Sequence, residues 1–253
     1  MTKSDTKRPA MPIPRFHCPN RLGPGQTLDL PPEAAHHAAR VLRLAPGDDV
    51  ILFDGHGGEY TGKIVRSGKD GVAVKTGDWR ECERESPLEV RLAQAISAGE
   101  RMDFTLQKAV ELGIRHIQPL LSERCKVKLS GERLERRVRH WQNVVAAACE
   151  QCGRNTVPAV ADPLPLLDWL WQRPAGEAGL LLSPLAESAL SALPRPTGPL
   201  TLLIGPEGGF SHDEAATAIA KGFTPVRLGQ RILRTETAAL AALAAMQALW
   251  GDF

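Results

Sequence analysis

Apolar stretches alternate with amphipathic segments over the second half of the chain. Nearly continuous apolar runs, typical of strands that are buried on both faces, occur in LEVRLAQAI, IRHIQPLL, GLLLS and LTLLIG. The segments RMDFTLQKAVELG and GERLERRVRHWQNVVAAACEQCG have helical spacing and close on Gly113 and Gly153. A helix from Ser211, the short strand PVRLG and an alanine-rich helix ending near Trp250 complete the series. This alternation predicts an α/β domain with a mostly parallel sheet that helices cover on both faces.

The first eighty residues follow a different pattern. Short apolar groups between turn signals, in DDVILFDG, GEYTGKIV and DGVAVKTG, predict the strands of a small β domain, and one helix, PPEAAHHAARVLRL, interrupts them. We place this β domain at residues 15–80, after a loose tail at 1–14. A polar, proline-terminated linker follows at 81–87, and the α/β domain occupies 88–253. Within the α/β domain we expect the proline-rich SPLAESALSALPRPTGPL to be a surface excursion.

Composition narrows the class of protein. The 253 residues are 43% hydrophobic and 24% charged, as in soluble globular proteins, which excludes wholesale disorder. No run approaches the roughly 20 apolar residues that span a bilayer, and the first residues lack the pattern of a signal peptide. We therefore expect a cytoplasmic protein without a membrane partner, its five cysteines reduced. The CEQC pair has no second pair of ligands, so we expect no metal.

A glycine-rich bend follows the apolar segment LTLLI. The strand ends at Gly205, and SHDE then starts a helix with a capping box in which Ser211 and Glu214 satisfy backbone donors. The residues GPEGG therefore form a loop at the carboxyl end of a central strand, where α/β sheets bind ligands. The alternative is an ordinary tight turn. The loop is not a Walker A motif and contains no GxGxxG.

A second loop favours a ligand-binding loop over an ordinary tight turn. Residues 228–247, LGQRILRTETAALAALAAMQ, place two arginines, two threonines and a glutamate before a helix of almost pure alanine and leucine. A helix so poor in charge has to be buried on most of its surface, so its amino end delivers Arg234, Thr235, Glu236 and Thr237 into the interior or a cleft. The alternative makes Thr235 or Thr237 an N-cap and Glu236 a first-turn acid, which leaves the arginines poorly explained.

Several separated motifs together resemble one family. QKAVELG, EQCGR, IGPEGGFS and LGQRILRTETAALAA resemble the bacterial ribosomal RNA small subunit methyltransferase E family of the SPOUT superfamily, which methylates uracil N3 in 16S rRNA. The N-terminal VLRLAPGDDVILFDGHGGEYTGKI is similar to that family's PUA-like β-barrel. The resemblance implies a C-terminal domain with a deep trefoil knot, S-adenosyl-L-methionine as cofactor, a homodimer, and 16S rRNA or the 30S subunit as partner.

The resemblance also implies a set of cofactor contacts from three loops. By matching motif, backbone groups of Gly205, Leu228 and Leu233 read the adenine, while Glu207 and the peptide at Gly208 meet the ribose or methionine end. The full set is Leu182, Ser183, Leu185, Ile204, Gly205, Pro206, Glu207, Gly208, Gly209, Leu228, Gly229, Ile232, Leu233, Arg234, Thr235, Thr237 and Ala238.

Uracil N3 carries a proton at neutral pH, which sets the demands on catalysis. The proton must leave, and the charge that develops on the flanking carbonyl oxygens needs donors. Arg234 is the candidate for those donors, because guanidinium stays charged, and Glu236 is the candidate base. The alternative is that Arg234 and Glu236 pair only with each other or with a second subunit.

Basic residues cluster between Glu123 and Arg139, with seven Lys or Arg against three Glu. On the helix there, Leu134, Val138, Trp141 and Val145 form an apolar stripe that leaves the arginines to other faces. Such a run is often solvated surface, but beside a PUA-like barrel we expect an RNA contact, with Arg154 nearer the reacting base. The RNA candidates are Arg15, Arg21, Arg40, Arg43, Arg133, Arg136, Arg137 and Arg154.

Two rival functions stay open at this point. A ribose 2'-O-methyltransferase of the same superfamily carries an asparagine-serine motif before the last helix, where this chain has RTETA. A non-catalytic RNA-binding protein of the same fold is the second rival, and Glu207, Arg234 and Glu236 argue against it. Neither GxSxG nor HExxH occurs, so a hydrolase has no support.

Overall fold

The computed structural model describes residues 13–127, 130–174 and 176–253. The chain divides into two compact units. The first unit ends at Arg84 and also includes the separate segment Gly153–Thr156, and the second consists of Glu85–Cys152 and Val157–Phe253. Residues 1–12 of the expected tail lie outside the described residues.

The first unit is a five-stranded sheet in the order β1-β3-β4-β5-β2. Its strands are β1 (Arg15–His17), β2 (Thr27–Asp29), β3 (Asp49–Phe53), β4 (Glu59–Gly68) and β5 (Gly71–Arg80). Strand β1 runs parallel to β3, and the other pairs are antiparallel. Among the described residues β1 and β2 do not pair, so backbone hydrogen bonds do not close the sheet into the expected barrel.

The helix of the first unit is shorter than its sequence pattern predicts. Helix α1 covers Pro32–His36 and continues as a π-helical turn over His37–Val41. Arg43 then takes a positive φ of 55°, which no right-handed helix allows, so the helix cannot extend to Leu44. Buried residues from the sheet and this helix, Phe16, Ala38, Val50, Leu52, Ile64 and Val74 among them, form the core of the unit.

The second unit is built on a parallel sheet in the order β12-β10-β11-β6-β7-β8, with β9 also paired to β7. Every pair in it is parallel. Its strands are β6 (Val90–Ala95), β7 (His116–Leu121), β8 (Ala159–Val160), β9 (Leu164–Pro165), β10 (Ala178–Leu182), β11 (Leu200–Ile204) and β12 (Phe223–Val226). All five residues of the central strand β11 are buried, as its apolar sequence requires. The predicted α/β class with a parallel sheet is confirmed.

Five helices pack with this sheet: α2 (Arg101–Glu111), α3 (Gly131–Cys152), α4 (Leu166–Gln172), α5 (His212–Ala220) and α6 (Thr235–Trp250). Only Thr237, Ala248 and Leu249 of α6 are exposed, as its composition predicts. The expected surface excursion after β10 is wrong in part, because it forms a 3-10 turn at Leu190–Ala192 whose Leu190 is buried. Among the described helices none is both long and apolar enough to cross a membrane.

Candidate active site

A cavity of about 850 Å³ opens at the carboxyl edge of the parallel sheet. The loops that follow β10, β11 and β12 meet there, because parallel strands all end at the same edge. Its volume suits a ligand the size of a nucleoside-based cofactor. Of the predicted cofactor and catalytic residues it is lined by Leu182, Ser183, Leu185, Ile204, Gly205, Pro206, Glu207, Gly208, Gly209, Leu228, Gly229, Ile232, Leu233, Arg234, Thr235, Glu236 and Ala238. Thr237 does not line the cavity and is exposed.

The glycine-rich loop, residues 205–211, is held by its own hydrogen bonds. The backbone N–H of Gly209 donates to the Pro206 carbonyl at 2.9 Å, in a turn that gives Gly209 a positive φ of 66°. The predicted capping box is present: Ser211 N–H donates to Glu214 Oε2 at 2.9 Å, and Glu214 N–H donates to the Ser211 hydroxyl. Glu214 Oε1 also accepts from the backbone of Glu123 at 2.7 Å. One buried carboxylate thus ties this loop to the segment after β7.

Thr235 joins the second loop to the first. Its hydroxyl donates to the Gly205 carbonyl at 2.7 Å and accepts from Gln94 Nε2 on β6 at 3.1 Å. Arg234 is the N-cap residue of α6, so the alternative in which Thr235 or Thr237 caps the helix is wrong. The two kinked loops therefore meet at a specific side chain. Sequence reasoning missed Gln94, because only the paired strands reveal which position of β6 faces Thr235.

Arg101, the first residue of α2, lies among the carboxylates of the cavity. Its Nη1 donates to Glu207 Oε1 at 2.7 Å, and its Nε lies 4.0 Å from Glu236 Oε1. The N–H of Ala98 also donates to Glu207 Oε1, at 3.0 Å. Sequence reasoning missed Arg101 too. Its place at the start of the helix that follows β6 is the signal that predicts a side chain at this edge of the sheet.

The surroundings of Glu207 favour its ionised form. Burial alone would raise the pKa of this carboxyl, by penalising the charge. Hydrogen bonds from the backbone N–H groups of Glu207 and Ala98 and from the Arg101 guanidinium, together with the positive charge of Arg101, outweigh burial and lower the pKa below its ordinary value. Glu207 is therefore a carboxylate at neutral pH.

Two carboxylate oxygens in the cavity wall have free acceptor capacity. Glu207 Oε2 and Glu236 Oε2 are buried and accept no hydrogen bond from any residue that the structure describes. A buried acceptor without a donor is costly, so these atoms suit a ligand that brings hydroxyl or ammonium donors. S-adenosylmethionine carries both kinds of donor, and the cavity residues fit it in this respect.

Arg234 is exposed at the cavity and makes no side-chain capping bond. Within the described part of the chain no ion pair joins it to Glu236, whose nearest cationic partner is Arg101. The alternative in which Arg234 and Glu236 pair with each other therefore has no support. Four further cationic residues line the same cavity: Arg101, Arg124, Lys126 and Arg231.

The peptide at Gly208 has a neighbour that the sequence did not predict. Arg124 Nη1 donates to the Gly208 carbonyl at 3.1 Å, and a Cβ at Gly208 would lie 3.2 Å from the Arg124 Cβ. The close approach of Arg124 is thus one reason for glycine at this position. The basic segment that contains Arg124 reaches the cavity directly.

The predicted RNA-contacting arginines fall into two groups. Arg154 is buried and Arg15 is largely buried in the first unit, where Arg15 pairs with Glu59 at 2.5 Å and donates to the Arg154 carbonyl at 3.3 Å. This enclosure argues against the predicted contact with RNA, because charged groups inside a protein need partners there, and Arg15 already has one in Glu59. The remaining six are not buried: Arg21, Arg40, Arg43, Arg133, Arg136 and Arg137.

On α3 the surface arginines have local partners. Arg136 lies 3.8 Å from Glu132, and Arg137 donates to the Gly99 carbonyl at 3.3 Å while its guanidinium lies over the Trp141 ring. The apolar stripe of this helix is present, with Trp141 and Val145 buried. Lys128, one of the seven basic residues of this segment, lies outside the described residues.

Comparison with known sequences agrees with this architecture. Residues 84–247 match the family described as RNA methyltransferase domain, and residues 30–76 match the RNA methyltransferase PUA domain. The fold and the cavity are thus those of an RNA methyltransferase that carries a PUA domain.

Individual relatives narrow the family. The ribosomal RNA small subunit methyltransferase E of Buchnera aphidicola subsp. Schizaphis graminum is 36% identical over 240 residues, covering 95% of this chain and 98% of the relative. The enzyme of the same name from Synechocystis is 37% identical, covering 88% of this chain and 73% of the relative. The chain belongs to the ribosomal RNA small subunit methyltransferase E family, which confirms the resemblance seen in its motifs.

Two solved structures are similar over almost the whole chain. The small subunit methyltransferase E of Neisseria gonorrhoeae, bound to S-adenosyl methionine, has a TM-score of 0.87 and 44% identity, covering 95% of this chain and 99% of that one. A Legionella pneumophila methyltransferase in complex with the same cofactor has a TM-score of 0.91 and 42% identity, covering 96% and 100%.

Proposed function

We propose that this protein transfers a methyl group from S-adenosylmethionine to N3 of a specific uridine in 16S rRNA of the small ribosomal subunit. The observation that carries the proposal is the cavity where the glycine-rich loop and the loop before α6 meet, with two buried carboxylate oxygens that accept no hydrogen bond from the described residues. The family of the chain and the two similar structures that bind this cofactor support it.

The residues of the cavity suit the parts of the cofactor. We assign the adenine to backbone groups of Gly205, Leu228 and Leu233, and the hydroxyl or ammonium donors of the cofactor to Oε2 of Glu207. The bound cofactor supplies an electrophilic methyl group. The Thr235 hydroxyl donates to the Gly205 carbonyl and is itself held by Gln94, so the loop that receives the ligand is already ordered before binding.

Catalysis requires that the chain removes one proton and compensates one charge. We assign the charge to Arg234, whose guanidinium donates to the uracil carbonyl oxygens beside N3 as they become negative. We assign the proton to Glu236, which accepts it from N3 at Oε2, the oxygen that has no donor in the described part of the chain. Arg101 lies beside both carboxylates and compensates the negative charge of Glu207 and Glu236. Most of the rate acceleration then comes from holding the reacting groups in position for in-line methyl transfer.

The proposal includes the wider organisation that the family implies. Residues 15–80 serve as the RNA-binding PUA-like domain, 81–87 as a linker, and 88–253 as a catalytic SPOUT domain with a trefoil knot and a homodimer interface. The arginines that are not buried contact the RNA backbone: Arg21, Arg40, Arg43, Arg133, Arg136 and Arg137. An rRNA substrate places the activity in the cytoplasm.

The decisive experiment incubates the purified protein with labelled S-adenosylmethionine and 30S subunits that lack this modification. Mass spectrometry then maps the product. We expect one methyl group on N3 of one uridine. A methyl group on a ribose would replace the proposal with a 2'-O-methyltransferase. Binding of the subunit without any methyl transfer would replace it with a non-catalytic RNA-binding protein.

A further inference from the structure

A second cavity, of about 430 Å³, lies within the first unit. It shares no lining residue with the cofactor cavity of the second unit. Its wall includes Trp79 and Tyr60 from the β4–β5 pair, together with Arg21, His56 and Gly58. We call it the Trp79 cavity. The reaction proposed above makes no use of it, and none of the sequence motifs predicted it apart from the general expectation for Arg21.

The aromatic side of the Trp79 cavity is built by the sheet. Tyr60 and Trp79 stand directly opposite each other on antiparallel strands, so their side chains share one face. The Tyr60 hydroxyl donates to the Leu22 carbonyl at 3.3 Å, which fixes the phenol ring. Trp79 nonetheless stays 51% exposed. About half of the indole is therefore open to a ligand that enters the cavity.

The position of the indole is fixed from below by a glycine. A Cβ at Gly58 would lie 2.6 Å from Trp79 Nε1 and 2.7 Å from two ring carbons, and Gly58 has a positive φ of 64°. The Gly58 N–H donates to Glu83 Oε1 at 2.6 Å, which holds the loop in place. The indole therefore packs on backbone on one side and presents the rest of its surface to the cavity. Such an indole is a preformed stacking surface.

The polar side of the Trp79 cavity offers a positive charge to a ligand. Arg21 is exposed, and its guanidinium offers a positive charge and several N–H donors. The one carboxylate in the wall, Asp54, already accepts the backbone N–H of His56 at 3.1 Å. An exposed indole beside an arginine is the combination that binds a nucleobase by stacking and its phosphate by charge.

We propose that the Trp79 cavity binds one unpaired nucleotide of single-stranded RNA, with the base on the Trp79 indole and a phosphate at Arg21. The inference rests on the proposed function in one respect, that the substrate of the protein is RNA. It adds a specific subsite in the first unit, distinct from the cavity that receives the cofactor and the target uracil. Stacking on an indole tolerates any base, so this subsite contributes affinity without reading sequence.

The test measures binding of an unstructured 12-nucleotide RNA to the full chain by anisotropy and by quenching of tryptophan fluorescence. Trp79→Leu is expected to raise the Kd roughly 5- to 150-fold, the range that loss of one stacked base gives. The matched control is Trp171→Leu, because Trp171 is also exposed, at 69%, but lies in the second unit beside Lys221. That control is expected to bind RNA like the unmodified protein.

Two milder variants separate stacking from folding. Trp79→Phe keeps an aromatic face, so its Kd is expected to stay within about threefold while the quenching by RNA disappears. Arg21→Ala, at an exposed position, is expected to reduce the slope of log Kd against log salt by about 1, as loss of one phosphate contact does. Unchanged affinity in Trp79→Leu, or quenching that persists in Trp79→Phe, would overturn the inference.

Methyl transfer assays distinguish this inference from the proposed function. In Trp79→Leu the KM for RNA should rise while kcat and the Kd for S-adenosylmethionine stay the same. Quenching at Trp79 in a protein that methylates no RNA would overturn the proposed function and support the subsite. Full methyl transfer with an unchanged KM in Trp79→Leu would support the proposed function and overturn the subsite.

Discussion

The two loops that meet at the cofactor cavity are built in different ways. The glycine-rich loop, residues 205–211, has its backbone fixed by a capping box, a tight turn and the hydroxyl of Thr235. The loop before α6, residues 227–234, is anchored at its first residue, where Arg227 donates to the Ala186 carbonyl at 2.9 Å. Beyond that anchor its side chains are largely open, and Ile232 is 85% exposed.

This difference suggests a division of labour at one cavity. A loop whose hydrogen bonds are satisfied in advance provides fixed geometry, which a cofactor needs for in-line transfer. A loop with exposed arginine and isoleucine side chains can adjust to a large substrate such as rRNA. If the division holds, damage to the first loop should lower cofactor affinity, and damage to the second should lower turnover.

The largest effect is expected for Arg234→Ala. Removal of the donor to the developing charge on the uracil oxygens should lower kcat by about 100- to 1000-fold, as loss of one such donor does in other enzymes. The Kd for S-adenosylmethionine should change by less than about threefold, since the glycine-rich loop is intact. Single-turnover rates on 30S subunits and calorimetry with the cofactor measure the two quantities separately.

Arg231→Ala is the matched control, because Arg231 is exposed on the same loop and lines the same cavity. It should keep a kcat within about tenfold of the unmodified protein. An equal loss in both variants would attribute the effect to the summed positive charge of the loop. An equal loss of cofactor affinity and turnover in Arg234→Ala would contradict the division of labour itself.

The next effect concerns the link between the loops. Thr235→Val keeps the side-chain shape but removes the hydroxyl that serves the Gly205 carbonyl and Gln94. We expect the free energy of unfolding to fall by about 1–3 kcal/mol, because buried polar groups lose their partner. The Kd for S-adenosylmethionine should rise about tenfold, while kcat at saturating cofactor changes little. Denaturant unfolding and calorimetry give both values.

Thr237→Val provides the comparison on the same helix. Thr237 is exposed and does not line the cavity, so this change should alter the free energy of unfolding by less than about 0.5 kcal/mol. If Thr235→Val were equally mild, the hydroxyl would not hold the glycine-rich loop, and the fixed geometry of that loop would need another source.

Local sequence signals predict most of the second unit because its elements obey strong local rules. Gly113 and Gly153 take positive φ values at the ends of α2 and α3, as predicted for helix C-termini. The capping box at Ser211 and the buried strand β11 are likewise visible in a few adjacent residues. The three loops of the cavity follow, since each comes after an identifiable strand.

Features that depend on distant residues escape such reasoning. Arg15 looks like a surface cation in the sequence, but its partner Glu59 is 44 positions away and only the folded sheet brings them together. Arg101 reaches Glu207 over 106 positions for the same reason. Strand β12 begins at Phe223, two residues before its predicted start, because the Phe223 ring fits against Gly179 of β10.

The smallest effect, and the finest test of the fixed loop, is the pH dependence of Glu207. Its pKa in the folded protein is lowered, so its ion pair stabilises the fold above the ordinary glutamate range, and the stabilisation is lost as pH falls through the lowered folded value. Glu207→Gln should therefore be less stable at neutral pH by about 1 kcal/mol, since Arg101 is partly exposed, and the difference should vanish toward acid pH. Thermal unfolding of both proteins between neutral and acid pH measures this. Glu132→Gln, in an exposed pair on α3, is the control and should change the free energy of unfolding by less than about 0.5 kcal/mol at neutral pH. A difference for Glu207→Gln that stays constant with pH would mean that the residue acts through shape and not through charge.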